Sequence, residues 1–391
     1  MAESTEIAIV GGGLASARVV SAYREAGGDE AIVLLSADTQ PPYHRPPLSK
    51  KVLRGEAKPE SALVEPAAYY AEHGVDLRLE TRVTTLDLGA HELTTETGRI
   101  GFGRLVIASG AWPRTLDVPG ADLDGVFTLR TLDNSRTIHE RAERSKTAVV
   151  VGTGFIGLET AASLRALGLD VTLVGSGRAL FEALGAPAFS EHLASVYRAQ
   201  GVDLRLGEGV SAFLGDGAIR AARLEGGDEV AADLAIVGIG VQPSIDWLDG
   251  SGLELAEGGI SVDERYATSA DGIFAVGDVA AFFDPVFGRR RRIEHWSNAN
   301  FQGDQLGRIL AGGDDRYDVV SSFFTENFGT SYKVFGDSHG SDALEQEGSF
   351  GEGPTIVHYL REGKRIAALV TGLDEERETE LKQAIREAAA S

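Results

Sequence analysis

The chain of 391 residues contains no cysteine. It can therefore build no disulfide, no thiolate metal site and no catalytic thiol. Every reductase mechanism that runs through a redox-active cysteine pair, or through one reactive cysteine, is excluded. Cations are scarce as well: 37 Lys and Arg stand against 59 Asp and Glu, a formal net charge of −22. That balance argues for solubility and against broad binding to nucleic acid or an anionic membrane. No apolar run approaches the ~20 residues that a membrane-spanning helix needs. The opening Met1-Ala2-Glu3-Ser4-Thr5-Glu6 lacks the basic and apolar stretches of a secretory signal, so a cytoplasmic location is expected. The eight histidines show no close ligand pairing, and no metal site is expected.

What the chain does have is glycine placed at strand–helix junctions. The apolar run Ile7-Ala8-Ile9-Val10 leads into Gly11-Gly12-Gly13-Leu14-Ala15-Ser16, and Ala148-Val149-Val150-Val151 leads into Gly152-Thr153-Gly154-Phe155-Ile156-Gly157. In a dinucleotide site the first glycine makes the tight turn and the second lets the backbone approach the pyrophosphate. The third allows close helix–strand packing. The helix N-terminus then offers N–H donors and a partial positive charge. Two such sites imply two dinucleotides, most simply a flavin and a nicotinamide. Ser16 replaces the third glycine of the first motif and is small enough to keep the packing. Asp38, just past the next strand, reads either as a partner of the adenosine ribose or as a solvated turn residue. In the second motif the position some 20 residues on, where an acid would select NAD, is Gly175, followed by Ser176, Gly177 and Arg178. Arg178 and Ser176 could favour a 2′-phosphate, and both NADH and NADPH stay open.

Periodicity predicts two βαβ units, one with strands at 6–10 and 31–35 around a helix at about 13–26. The other has a strand from 147, a helix at about 156–167 and a strand at 171–174. Segments at 76–84 and 91–97 suggest an inserted β-meander. Further strands are expected at 104–108, 234–237 (ending in Gly238-Ile239-Gly240) and 272–276 (ending in Gly277-Asp278). The stretch Gln40–Lys50 carries four prolines, which predict an ordered, extended loop. Past about residue 319, strand-like runs at 321–328, 331–335, 355–361 and 366–372 precede a terminal helix at about 374–389. The expected class is α/β: two Rossmann-like dinucleotide-binding domains plus a small C-terminal α+β domain.

Four segments carry a family resemblance. They are Pro42-Tyr43-His44-Arg45-Pro46-Pro47-Leu48-Ser49-Lys50, Gly154-Phe155-Ile156-Gly157-Leu158-Glu159, Phe274-Ala275-Val276-Gly277-Asp278 and Glu294-His295-Trp296-Ser297-Asn298-Ala299. Together they make the chain similar to the FAD-dependent ferredoxin reductases that serve bacterial aromatic-ring dioxygenases and cytochromes P450, over nearly its whole length. The resemblance implies a glutathione-reductase-like arrangement. FAD would bind a discontinuous domain of residues 1–115 and 240–318, NADH or NADPH a domain of residues 116–239, and residues 319–391 would form the third. The first motif sets Gly11, Gly13, Leu14 and Ala15, with Asp38 as a candidate, about FAD, and the resemblance adds Arg45, Lys50, Arg130, Gly277, Asp278, His295 and Trp296, with Lys50 near the reactive edge of the flavin. Asp278 would take the ribityl hydroxyls, and His295 and Trp296 would border the ring. The second motif sets Gly152, Gly154, Phe155, Ile156 and Gly157, with Arg178 as a candidate, about the nicotinamide cofactor. Gly240 is a further cofactor-binding candidate, and the resemblance sets Glu159 at the nicotinamide, with Glu159 and Lys50 as the catalytic residues. In the C-terminal region Phe323-Phe324-Thr325-Glu326-Asn327-Phe328 stands where the family more often has a Ser-Asp-Gln-Tyr run.

The implied activity takes a hydride from NAD(P)H onto FAD and passes electrons singly to a ferredoxin-type iron–sulfur protein that feeds an oxygenase. Ferredoxins of this kind are typically acidic. Arg289-Arg290-Arg291-Arg292 reads either as a docking patch for one or as a solvated loop or hairpin. Two other classes fit the same motifs: a cysteine-free NAD(P)H:quinone or oxygen reductase, and an apoptosis-inducing-factor-like redox-sensing binding protein.

Overall fold

The computed structural model describes residues 3–390. The chain divides into two compact units. The first holds residues through His44, 62–112 and 242–321, and the second holds 45–61, 113–241 and 322 onward.

The first unit is built on a twisted sheet in the order Val75–Arg78, Ile32–Leu35, Glu3–Val10, Arg99–Ile107, with all four strands parallel. The start of Arg99–Ile107 pairs antiparallel with Glu92–Thr95, which pairs with Val83–Asp87. Its end pairs in parallel with Ile273–Ala275. Residues Ile7–Val10 and Ile32–Leu35 are buried throughout, as strands covered on both faces must be, which is why they read as unbroken apolar runs. The expected meander is shorter than 76–84 and 91–97 implied. Val75–Arg78 instead extends the parallel sheet, after a short helix, Ala67–Glu72, returns the chain to its edge. The helices Leu14–Glu25 and Trp296–Leu310 pack face to face with little between them. A Cβ on Gly303 would lie 2.4 Å from the Ala15 carbonyl oxygen, and one on Gly307 would lie 2.6 Å from that of Val19.

The second unit contains a parallel sheet in the order Asp203–Leu206, Asp170–Gly175, Thr147–Val151, Leu234–Val237, Val126–Phe127. A three-stranded antiparallel sheet, Val210–Asp216, Ala218–Leu224 and Glu229–Ala231, leads into Leu234–Val237. The C-terminal residues form a five-stranded antiparallel sheet. Its order is Ser322–Asn327, Thr330–Gly336, Lys364–Thr371, Thr355–Arg361, Ala343–Glu347, and the helix Glu375–Ala390 follows. The class is thus α/β, with two Rossmann-like folds and a small C-terminal α+β part, as expected. The proline-rich stretch is not extended throughout: Pro46–Ser49 closes into one 3₁₀ turn, because a proline at the first turn has no N–H to lose and its φ suits the turn. No described helix is long and apolar enough to cross a membrane.

A side chain at Gly307 has backbone atoms on its path. Gly307→Val is expected to cost about 3 kcal/mol through forced separation of the two helices. A fall in thermal melting temperature relative to the unaltered protein, read by circular dichroism, checks it.

Candidate dinucleotide sites

The two glycine motifs are built to one plan. Gly11 has φ +121° and Gly152 φ +119°, values that glycine alone adopts freely. The N–H of Gly11 donates to the Leu35 carbonyl and that of Gly152 to the Val174 carbonyl, each at 2.8 Å. A Cβ on Gly11 would lie 2.2 Å from the Ala108 oxygen, and one on Gly152 the same distance from the Gly238 oxygen. Both turns therefore sit at the carboxyl ends of their strands, where the strand order reverses, the place where open α/β sheets bind ligands. The helices Leu14–Glu25 and Phe155–Ala166 begin at Gly13 and Gly154 with no side chain capping them. Their first-turn N–H groups are left to a ligand. Ser16 differs from its counterpart Gly157, whose Cβ would come within 1.9 Å of the Gly152 oxygen. The Ser16 hydroxyl instead donates to the Gly11 carbonyl, so it pins the turn rather than merely fitting it.

Of the residues predicted in the first unit, Gly277 comes beside the helix that opens at this motif. Gly277, at φ +77°, has a position for Cβ that faces Ala15 at 3.3 Å and Ala299 at 3.9 Å. Its N–H donates to Gln302 Oε1 at 2.8 Å. Asp278 lies inside the turn Gly277–Val279, in its first and only turn. Asp38 is not simply solvated: it accepts from the Tyr43 hydroxyl at 2.7 Å and from the Gln40 N–H at 3.1 Å. His295 precedes the helix Trp296–Leu310 and accepts its Ala299 N–H on the carbonyl. Burial pushes its imidazole down to about 4, Asp278 opposing and Arg291 adding. Trp296 is 38% exposed, and its indole N–H donates to His44 Nδ1 at 2.9 Å. Two residues to which the sequence reading gave no role complete the setting. Asn298 and Gln302 are buried, and Asn298 Oδ1 and Gln302 Nε2 have no hydrogen-bond partner among the described residues. Unpaired buried polar atoms are costly. With the glycine cradle and the open N–H groups, they fit a polar ligand such as a dinucleotide.

In the second unit the proline-rich loop is fastened by side chains of two helices. Ser135 donates to the Leu48 carbonyl at 2.8 Å, Ser163 to the Ser49 carbonyl at 2.6 Å, and His139 Nδ1 lies 2.9 Å from the Leu53 carbonyl. Arg45 opens the 3₁₀ turn and accepts the Leu48 N–H on its carbonyl. Arg130 immediately precedes the capping box of helix Leu132–Ala142, its N–H donating to Asn134 Oδ1. The loop delivers Lys50 to Glu159, Nζ to Oε2 2.5 Å, with both side chains almost wholly buried. Ser49 donates to the same carboxylate oxygen at 2.6 Å. Lys50 also reaches the Pro46 carbonyl at 3.2 Å.

The other carboxylate oxygen is held by the C-terminal sheet. Thr325 Oγ1 donates to Glu159 Oε1 at 2.9 Å and accepts from Asn327 Nδ2 at 3.2 Å. The Tyr197 hydroxyl lies 2.6 Å from Asn327 Oδ1 and 2.8 Å from the Leu158 carbonyl. Burial, reinforced by Glu159, pushes that hydroxyl far above its ordinary titration, so Tyr197 stays a donor. Sequence reasoning missed Ser49, Thr325, Asn327 and Tyr197 as partners of Glu159. The alternation of buried Thr325 and Asn327 along one strand was the available signal. Elsewhere in this unit Phe155 packs edge-on against Phe181 and Phe323 at 4.8 and 5.3 Å. The Ile156 carbonyl accepts from Thr160 at 2.6 Å. Gly240, at φ +101°, accepts the Arg114 N–H.

Arg289–Arg292 form a strand in the first unit, antiparallel to Ala280–Asp284, and all four are half-buried. Arg290 Nη1 donates to the Val262 and Ala281 carbonyls at 2.6 Å each. Arg291 pairs with the fully buried Asp284 at 2.8 Å, and Arg292 pairs with Glu294. Much of the run is committed to internal partners.

The family model described as pyridine nucleotide-disulphide oxidoreductase matches residues 5–303. The chain belongs to this family. It is 34% identical to the ferredoxin reductase component of chlorobenzene dioxygenase from Cupriavidus sp. (strain PS12), over 94% of this chain and 89% of that protein. Among solved structures it is similar to the ferredoxin reductase for the CYP199A2 system from Rhodopseudomonas palustris, with a TM-score of 0.90, 31% identity and coverage of 94% and 91% of the two chains. It is also similar to the covalent putidaredoxin reductase–putidaredoxin complex, with a TM-score of 0.94, 31% identity and coverage of 98% and 93%. As a pyridine nucleotide-disulphide oxidoreductase with no cysteine, this protein retains the family's nucleotide folds and has no thiol for disulfide chemistry. Where a thiol is lacking, the chain buries an ammonium and a carboxylate as a pair, Lys50 and Glu159.

Removing one member of a buried ion pair leaves the other charge unpaired, at about 3 kcal/mol. Lys50→Met and Glu159→Gln are each expected to destabilise by that order, and the double variant by clearly less than their sum. A double-mutant cycle from urea unfolding measures this. For His295, the folded pKa of about 4 lies below the ordinary 6.5. Between those values the unfolded chain takes up a proton that the folded chain refuses. Its contribution to stability is therefore full above pH 6.5 and lost progressively as pH falls toward 4. His295→Gln is expected to flatten the urea midpoint between pH 7 and 5 relative to the unaltered protein.

Proposed function

We propose that this protein is an FAD-dependent NAD(P)H:ferredoxin reductase that feeds an oxygenase. The observation that carries the reading is the pairing of two complete glycine cradles with the total absence of cysteine. Two dinucleotides can bind, and the electrons have no protein thiol on which to stop. The relatives named as ferredoxin reductases, matched over nine-tenths of the chain, support the same destination. FAD takes the domain of residues 1–115 and 240–318, the nicotinamide cofactor that of 116–239, and 319–391 is the third domain. When bound, FAD supplies the conversion of a two-electron donor into single electrons.

The protein's own part is positioning and electrostatics. Gly11, Gly13, Leu14 and Ala15 cradle the FAD pyrophosphate with backbone N–H groups. Asp38 takes ribose hydroxyls, Asp278 takes ribityl hydroxyls, and Arg45 and Arg130 add positive charge. His295 and Trp296 border the ring. Lys50 is held in one place by Glu159, Ser49 and the Pro46 carbonyl. A fixed ammonium favours negative charge that develops beside it, with no reorganisation at the moment of reaction. Gly152, Gly154, Phe155, Ile156, Gly157 and Gly240 shape the nicotinamide-cofactor site, and Glu159 orients the cofactor so that hydride transfer is a matter of geometry.

Stopped-flow reduction of the purified flavoprotein by NADH and by NADPH, with and without an oxygenase-system ferredoxin, tests the whole reading. Fast reduction followed by fast ferredoxin turnover is expected. Fast turnover with quinone or oxygen and none with ferredoxin would make it the quinone or oxygen reductase. A long-lived reduced complex with negligible turnover would make it the redox-sensing binding protein. The iron–sulfur partner docks, on this proposal, beside Arg289–Arg292. Arg289 is the informative site, because Arg291 balances the buried Asp284. Arg289→Ala is expected to slow ferredoxin reduction about threefold at low salt and flatten its salt dependence, with hydride transfer unchanged.

A further inference from the structure

Position 175 is empty of side chain for a reason that lies in the glycine motif itself. A Cβ on Gly175 would stand 2.4 Å from Thr153 Cγ2, so the threonine occupies the direction in which an acid at 175 would leave the backbone. The first unit solves the same contact the other way round. There the equivalent positions are Gly12 and Ser36, and a Cβ on Gly12 would stand 2.0 Å from Ser36 Oγ. Each cradle has room for one side chain at this point. In the second, Thr153 has it, and the ribose-selecting acid of an NAD site cannot be added by changing residue 175 alone.

The loop that follows is fastened to the same motif at both ends. Val174 accepts the Gly152 N–H at 2.8 Å, and the Phe181 N–H donates to the Thr153 carbonyl at 3.0 Å. Phe181 takes a left-handed φ of +49° to make that return, and its ring meets Phe155 of the motif. The base of the loop is held by the Gly207 N–H, which lies 2.8 Å from the Gly175 carbonyl and 2.9 Å from that of Gly177. Arg178 stands in the middle of this tethered span, exposed. Its guanidinium has no ion-pair partner among the described residues. One carboxylate shares the loop: Glu182 Oε2 accepts the backbone N–H of Arg178 at 3.2 Å.

We infer that Thr153, Gly175 and Arg178 together make the second cradle a site for the 2′-phosphate of NADPH, with Thr153 as the residue that keeps out the competing acid. This deepens the reading of residues 152–178 as the nicotinamide-cofactor site and rests on it. The chemistry is that of a guanidinium on a phosphate, set where an acid would otherwise meet a ribose hydroxyl. Glu182 weakens the preference by its charge and commits its carboxylate to the loop backbone.

Calorimetric titration of the flavin-loaded protein with 2′,5′-ADP and with 5′-AMP reads the 2′-phosphate alone and requires no turnover. The unaltered protein is expected to bind 2′,5′-ADP the more tightly. Arg178→Ala is expected to lose about tenfold in that affinity with 5′-AMP unchanged, and Glu182→Gln to gain. Thr153→Gly with Gly175→Glu is expected to reverse the preference, whereas Gly175→Glu alone weakens both ligands by displacing Thr153. Tighter binding of 5′-AMP by the unaltered protein, or a ratio unmoved in Arg178→Ala, overturns the inference. So does a loss of 5′-AMP affinity in Glu182→Gln, which would make Glu182 the ribose acid. If the unaltered protein binds neither ligand, the nicotinamide-cofactor reading falls with it.

Discussion

The structure depends on two places where one backbone passes another too closely for any side chain. At Gly11 and at Gly152 the chain leaves a buried parallel strand, turns, and enters a helix beside the carbonyl of the neighbouring strand's end. Everything that makes either fold a nucleotide site follows from that passage. The helix N-terminus points at the strand ends, the first-turn N–H groups stay open, and the residues after the next strand come alongside. A methyl group at either glycine would push the strand ends apart and close the cradle from below.

A second constraint is electrostatic. Lys50 and Glu159 are buried at a cost in lost hydration that their mutual attraction alone rarely offsets. The pair is supported on every side: Ser49 and Thr325 on the carboxylate, Pro46 on the ammonium, and Asn327 and Tyr197 behind Thr325. Such support fixes both charges in orientation. In the segment where the resembled family more often has a Ser-Asp-Gln-Tyr run, this chain presents the Thr325 hydroxyl to Glu159 and the Asn327 amide to Thr325.

The sequence made the two cradles legible because buried parallel strands read as solid apolar runs and glycine turns have a fixed spacing. The Lys50 loop was legible through its prolines, though not the 3₁₀ turn inside it. The helix Trp296–Leu310 was hidden, since Gly303, Gly307 and its buried Asn298, Gln302 and Gln305 do not look like an apolar face. They are there for close packing against Leu14–Glu25 and for polar atoms turned inward. Ala343–Glu347 was equally hidden: it is exposed along its whole length, so no alternation marks it as a strand. The four arginines drew attention by charge alone, which reveals nothing about the carbonyls and the buried aspartate that hold them. Gly175 read as a missing acid. Only the position of Thr153 turned that gap into a steric exclusion.

The close seam between the helices Leu14–Glu25 and Trp296–Leu310 also sets an order of assembly. The first unit lacks the strand Ile273–Ala275 and its second packing helix until synthesis has passed Gly307. By then the whole parallel sheet from Val126 to Val237 has already left the ribosome. The sheet encoded second is therefore the first that can be completed, and the helix Leu14–Glu25 must wait, with its glycine-packed face uncovered, for a partner helix more than 250 residues away. Emerging chains are most exposed to aggregation and proteolysis in that interval, and the strongly acidic composition of this protein helps keep them apart while it lasts.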